Sequence, residues 1–387
     1  MISGAWTRIF SSRTTKRDPD CQNPDQLCMT KPAPSGSGRT ALLPFSVIIP
    51  ARNAAGTLAC CLGAVFASSL KPPEVLVVDD GSVDETSAIA ARYPCRVIPI
   101  ALGSGPMAPR YAGAARARGQ ILVFIDADVE VRPDTFSRLI ADFSDPAVHA
   151  VTGCLSPEGP VTRFAGHFKN EYMHWIFARQ PRKSSFLYGS LWAVRREDLL
   201  VFEPVSEPFG SLVSDSEMGF RLQAAGRTVI LDHDLKVGHR KDYTLGALLR
   251  NDFVIPFMFA RIFFRYRNAS SWTCRKAFSH ASLAQGLSVF AAPAALVLFS
   301  LFVFSGSCLY GVPAVLMLTG FYAFWFSFLA GLLKRRGILF VLRSLLVLPL
   351  DAAVMAAGIC GGLVYSLKKA FSEGLFTDNE GVLCPGK

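Results

Sequence analysis

The chain has 387 residues, 51% of them apolar, and 40 Lys and Arg against 30 Asp and Glu leave a net charge of +10. That length allows about two domains. Without aromatic-interleaved basic patches, the positive balance excludes a nucleic-acid binder and suits a protein lying against an anionic leaflet.

Residues 1–40 are polar and rich in Pro, Ser and Gly, ending in "KPAPSGSGRT", and are expected to be a disordered lead-in. No basic segment followed by an apolar stretch opens the chain, so a cleaved signal peptide is not expected. An α/β domain is expected over 41–245. "FSVIIPARN" is a β-branched run of the kind buried on both faces. After a helical "AGTLACCLGAVFASS", "PPEVLVVDDGSVDETSAIAARY" reads as strand, acidic turn and helix. "CRVIPIAL" is a third strand, "APRYAGAARARG" a small-residue helix and "QILVFIDAD" a fourth strand. The alternation predicts a parallel sheet, with ligands beyond the carboxyl ends of its strands. Asp79, Asp80, Asp126 and Asp128 all fall at such ends. From 150 to 245 the pattern is mixed and completes the same domain. The ten cysteines show no CxxC spacing and read as reduced thiols rather than as a disulfide framework or zinc site.

Residues 246–280 open with Phe and Ile among Arg250, Arg261, Arg265 and Arg267, the composition of an amphipathic helix in a membrane interface. From Ala277 to Leu333, roughly 57 residues pass without a formal charge, well beyond the length of one span. Two or three transmembrane helices are expected over 281–370, with 371–387 a C-terminal tail. Spans are placed near 283–304 and 309–333. Arg343 and Asp351 in the next apolar stretch are costly at mid-bilayer, so that stretch either bends at Pro349 or turns both residues toward protein. Lys334, Arg335 and Arg336 favour a cytoplasmic loop, on the side of the N-terminal domain.

Two aspartates separated by one residue at a strand end can both reach a hard divalent cation such as Mg2+ or Mn2+. Such an ion is readily shared with substrate phosphates, which points to a nucleoside diphosphate. "FSVIIPARN", "VLVVDDGSVDET", "GSGPMAPRYAGAARARGQILVFIDADV" and "SDSEMGFRLQAAG", in that order and spacing, resemble the inverting family 2 glycosyltransferases, in a membrane-anchored branch. The resemblance implies a GT-A fold, a Rossmann-like mixed sheet of the nucleotide-diphospho-sugar transferases, followed by the C-terminal transmembrane helices.

It also implies roles residue by residue. Pro50, Ala51 and Arg52 would line the nucleobase pocket, Arg52 standing where a tyrosine is common. Asp79 and Asp80 would sit under the base, although an N-cap role is also open to them. Gly103 and Gly105 would let the chain pass close to the donor, and Arg110 would approach its phosphates or ribose. Asp128 would be the principal metal ligand, Asp126 would contact ribose or ion, and His239 would complete the metal shell. Asp215 would be the base that takes the acceptor's proton, Ser214 replacing the glutamate usual before it; Glu217 is the runner-up. Gly189 and Ser190 would line the sugar pocket, where Trp192 stacks on a sugar or fills core.

The processive synthases' Gln-x-x-Arg-Trp stretch is absent, which argues for transfer of a single sugar. The expected partners are a nucleotide-sugar donor, a lipid or lipid-linked acceptor and the membrane, the catalytic domain facing the cytoplasm. The alternatives are a nucleotidyltransferase that forms sugar nucleotides and a non-catalytic membrane partner.

Overall fold

The computed structural model describes residues 44–101, 107–202, 213–265, 277–278 and 281–372. Gly103, Gly105, Arg267, the N-terminal lead-in and the C-terminal tail from residue 373 lie outside them, residues 371 and 372 belonging to the last helix. The elements in chain order begin with β1 (Phe45–Ala51), α1 (Leu58–Ala67), β2 (Val75–Asp79), α2 (Thr86–Ala90), β3 (Arg96–Pro99), α3 (Ala108–Arg116) and β4 (Ile121–Ile125). There follow β5 (Val129–Glu130), α4 (Thr135–Asp142), β6 (Ala150–Leu155), α5 (Phe164–Phe177), β7 (Lys183–Ser184) and β8 (Leu191–Arg195). α6 (Arg196–Leu200), α7 (Ser214–Ala224) and β9 (Val229–His239) complete the α/β part.

The sheet runs in the order β3-β2-β1-β4-β8-β6-β9-β5, with β7 also on β9. β3, β2, β1 and β4 are parallel, as the alternation predicts. β8 then runs antiparallel to both β4 and β6, and β9 lies parallel to β6, so the sheet as a whole is mixed. Successive side chains of a strand face opposite sides. Val47, Ile49, Val77 and Val123 accordingly enter one apolar layer, with Leu58, Leu62, Phe136 and Phe168. Ile48, Val78, Leu122 and Phe124 enter the other, with Ala114, Leu199, Met218 and Leu222. Every residue of β1, β2 and β4 is buried except Pro50, which is half-buried. Hence these strands are unbroken apolar runs rather than alternating ones.

The remaining elements are α8 (Leu245–Arg265), a two-residue pair β10 (Ala277–Phe278) and β11 (Ala281–Ser282), α9 (Leu283–Ser305), α10 (Cys308–Arg336) and α11 (Ile338–Ser372). The last three are long and apolar enough to cross a membrane. α11 continues helical through Pro349; Asp351 turns inward, 1% exposed, whereas Arg343 is exposed, so only one of the two charged residues of that stretch faces protein. α5 joins the three long apolar helices to the sheet: Tyr172 stacks on Trp325 at 5.5 Å between ring centroids, and Trp175 lies tilted against it at 5.0 Å. Beneath them the fully buried Glu171 accepts from Arg335 Nε at 2.8 Å and Arg336 Nε at 2.9 Å. Cys61, Cys95, Cys154, Cys308 and Cys360 are free thiols, whereas Cys60 is disulfide-bonded, a departure from the all-thiol expectation.

Candidate active site

β1 and β2 end in register, Ala51 opposite Asp79, so their loops leave the sheet side by side. The Asp80 N–H donates to the Ala51 carbonyl at 2.9 Å. Asn53 holds a left-handed backbone (φ 49°) and accepts from the Val83 N–H at 2.9 Å, while its own N–H donates to Ser82 Oγ at 3.0 Å. Such a conformation is uncommon outside glycine, and the cross-loop bonds hold it. Asp79 is used up locally: Ser82 N–H donates to Oδ1 at 2.8 Å and Ser87 Oγ donates to Oδ2. Burial pushes its carboxyl up, but those bonds outweigh burial and hold it below the ordinary value. Asp80 is the opposite case. It is buried, its Oδ1 has no hydrogen-bond partner, and burial raises its carboxyl against the pull of Arg52. A buried carboxylate oxygen with an open valence is an acceptor waiting for a donor. Arg52 and Pro50 frame it, exposed and half-buried respectively.

At the end of β4, the Asp126 N–H donates to the Ser190 carbonyl at 3.4 Å and Arg110 Nη2 donates to Asp126 Oδ1 at 2.6 Å. α3 thus delivers Arg110 into the carboxylate group instead of to solvent. Burial pushes Asp126 upward, Arg110 opposes this, and Asp128 adds to the rise. β5 pairs with the end of β9, Val129 opposite His239, and this brings His239 Nε2 within 3.3 Å of Asp128 Oδ1. Burial works against ionisation of Asp128, but His239 and then Lys241 bring its carboxyl down to about 2. Lys241, absent from the sequence reading, follows β9 too irregularly for any spacing rule to find it.

Asp215 is the second residue of α7. A methyl group added at Gly189 would stand 3.1 Å from Asp215 Oδ2 and 3.4 Å from Asp126 Oδ2. The bare glycine therefore keeps open a space bounded by carboxylates from two distant parts of the chain. Burial pushes Asp215 up to about 6, against Arg110 and the Ser216 N–H, and Asp126 adds to the rise. A carboxyl tuned toward neutrality beside a cleft is suited to accepting a proton.

The structure brings together Arg110, Asp126, Asp128, Gly189, Ser190, Asp215 and His239, with Pro50, Ala51, Arg52, Asp79 and Asp80 on the adjoining rim. Glu217 does not join them: it is 1% exposed and bridged to Arg265 at 3.2 Å. Trp192 is fully buried and stacks on Phe124 at 4.2 Å, so it fills core. Among the described residues no three His, Cys, Asp or Glu side chains are grouped closely enough to hold a metal by themselves. Asp128 and His239 offer one oxygen and one nitrogen donor, a set that fits a divalent cation whose other positions are filled by phosphate and water.

A GT-A type sheet with an acidic rim at its parallel strand ends is what known proteins match. Residues 46–200 match the family model described as Glycosyl transferase family 2. Glycosyltransferase AglE of Haloferax volcanii is 29% identical over 229 residues, which are 55% of this chain and 72% of that protein. The succinoglycan biosynthesis protein ExoO of Rhizobium meliloti is 36% identical over 96 residues, 24% of this chain, and the match spans only 28% of that relative's length. The mannosyltransferase PcManGT from Pyrobaculum calidifontis, solved with GDP-Man and Mn2+, shares the fold with a TM-score of 0.50 at 18% identity, over 88% of this chain and 91% of that one. Over residues 46–200 the chain is therefore similar to the family 2 glycosyltransferases, and its sheet has the GT-A fold.

Proposed function

We propose that this protein is an inverting, metal-dependent glycosyltransferase. It moves one sugar from a nucleoside diphosphate sugar to a hydroxyl of a lipid or lipid-linked acceptor, at the cytoplasmic face of a membrane. The observation that carries the reading is the juxtaposition at Gly189, where the Asp215 and Asp126 carboxylates both border the glycine's open side. Asp80 Oδ1 accepts from a ring or exocyclic N–H of the base, and the Asp79 bonds hold that loop in shape. Arg110 neutralises Asp126 and lies at the donor's phosphate side. Asp128 and His239 would hold a divalent cation, which would supply neutralisation of the departing diphosphate. Asp215 takes the proton of the acceptor hydroxyl as that oxygen bonds to the anomeric carbon and the bond to the diphosphate breaks. The products are the glycoside, the nucleoside diphosphate and a protonated Asp215.

Two points support the acceptor and the side. α7, which carries Asp215, packs through Val213 and Phe220 on Phe259 and Ile262 of α8, a helix flanked by the membrane segments. Lys334, Arg335 and Arg336 end α10, and the latter two bind Glu171 of the catalytic domain, so the basic loop and the domain share a side. A cholesterol galactosyltransferase of Borreliella burgdorferi, 30% identical over 40% of this chain and 49% of that protein, is a relative named for a lipid acceptor. Membranes holding the protein, incubated with UDP-, GDP- and dTDP-sugars and Mn2+, should release nucleotide with one donor. Loss of release in both Asp128→Ala and Asp215→Asn is expected; full turnover in Asp215→Asn would remove the base.

A further inference from the structure

Hydropathy and length admit three spans, but the contacts of the three helices are of two kinds. α9 and α10 stand clear of the catalytic domain at their linked ends: Leu296, Val297 and Phe304 are 56%, 61% and 89% exposed, and Leu309 and Leu316 are 73% and 65% exposed. α11 never stands clear. Its first turn puts Phe340 against Phe164 of α5, ring centroids 4.6 Å apart. Asp351, thirteen residues beyond the helix start, is an electrostatic partner of Lys169 on α5 beside Asp252 of α8. Met355 Sδ is 3.9 Å from the Tyr172 hydroxyl of α5. Methyl groups added at Gly358 and Gly362 would each come within 2.3 Å of an α8 carbonyl, those of Phe253 and Phe257, so the two helices touch backbone to backbone. Arg261 of α8 then lies over the Tyr365 ring at 4.7 Å.

α8 is itself bound to the catalytic domain along its length. Asp252 pairs with Lys169 at 2.5 Å, Phe259 and Ile262 pack on Val213, and Arg265 bridges Glu217. Hence from Phe340 to Tyr365, about 38 Å of helix, α11 follows the underside of the domain, directly or through α8. A helix crossing the bilayer leaves the domain within a few turns, as α9 and α10 do.

We infer that α11 lies in the plane of the membrane, so that the chain crosses it twice and the exposed face of α11 is seated in the acyl layer of the leaflet facing the catalytic domain. That face is a continuous apolar line: Leu339, Leu342, Leu346, Leu350, Val364 and Phe371 are 71%, 51%, 77%, 45%, 49% and 74% exposed. Their spacing keeps them on one side of a helix throughout. The same helix keeps Asp351, Ser344 and Ser366 on its buried side. Arg343, Lys368 and Lys369 are exposed near its ends, where their long stems reach anionic headgroups. With α11 flat, Lys368 and Lys369 share the side of Arg335 and Arg336, which the positive-inside rule requires and a third span would violate.

The test is made on the full chain in sealed proteoliposomes of mixed anionic and zwitterionic lipid, with a membrane-impermeant maleimide. The far-side reference is native Cys308, the domain-side reference is Arg116→Cys, and the probe is Lys369→Cys, other native cysteines being serine. Labelling of Lys369→Cys with Arg116→Cys, and not with Cys308, is expected; labelling with Cys308 overturns the inference. Spin labels at Leu346→Cys and Val364→Cys should report equal, shallow depths, whereas a crossing helix would separate them by about 27 Å. Should the serine background fail to fold, an epitope tag after Lys387 on the otherwise natural chain is read by protease from each side. Digestion from the catalytic-domain side supports the flat helix, and digestion only from the far side overturns it.

Discussion

Two groups of acidic side chains in this molecule are handled in opposite ways. In the helices that pack around the sheet, buried acids face cations: Glu171 faces Arg335 and Arg336, Asp252 and Asp351 share Lys169, and Glu217 faces Arg265. At the carboxyl ends of the strands and the start of α7, Asp126, Asp128 and Asp215 gather around Arg110, His239 and Lys241, and Asp80, beside Arg52, keeps an open oxygen. Burying a charge is tolerated only when it is paired. The first group is therefore structural, and the second is short of positive charge until a ligand arrives. This difference separates Glu217 from Asp215, two residues apart on one helix.

The sharpest way to break the contrast is Asp215→Asn. It should cut transfer about 10³-fold while leaving donor affinity nearly unchanged, read as nucleotide release against donor titration. In the natural protein the base works only as carboxylate, so kcat/KM should climb as pH rises through about 6 and level off above it. For stability the sign is reversed: with a folded-state value above the unfolded 3.8, the contribution of Asp215 to stability falls as pH rises from 3.8 to about 6 and stays lower above it. Asp128→Ala should lower turnover by about 10²-fold or more, and excess Mn2+ should recover little of it. On the structural side, Glu171→Gln should cost about 2 kcal/mol of stability in detergent, discounted for the partly exposed arginines, with the KM for donor unmoved. Gly189→Ala should slow transfer by about tenfold, because its methyl group would crowd the two carboxylates. The smallest effect is expected for Trp192→Phe, about 1 kcal/mol of stability with no change in donor KM. A large KM change there would return that ring to the sugar pocket.

The strands of the first half were readable because buried parallel strands are unbroken β-branched runs, and the Asp pairs stand where those runs stop. The helices at 58–67, 108–116 and 164–177 follow from composition in the same way. The two-residue β5 and β7 are too short to have a pattern, yet β5 is what sets His239 beside Asp128. The Arg110–Asp126 ion pair and the proximity of Lys241 depend on where α3 and the end of β9 come to rest, which no local spacing encodes.

By itself the sequence determined the acidic strand ends, the α/β class and the apolar tail, because strand burial, turn chemistry and membrane length all leave local patterns. Only the tertiary structure decided that Asp215 shares a space with Asp126, that Glu217 is a structural partner of Arg265, and that Trp192 is core. It also decided that Asp351 is held by protein. Each of these is a contact between segments far apart in the chain, and such contacts are set by how helices pack on the mixed sheet and on one another.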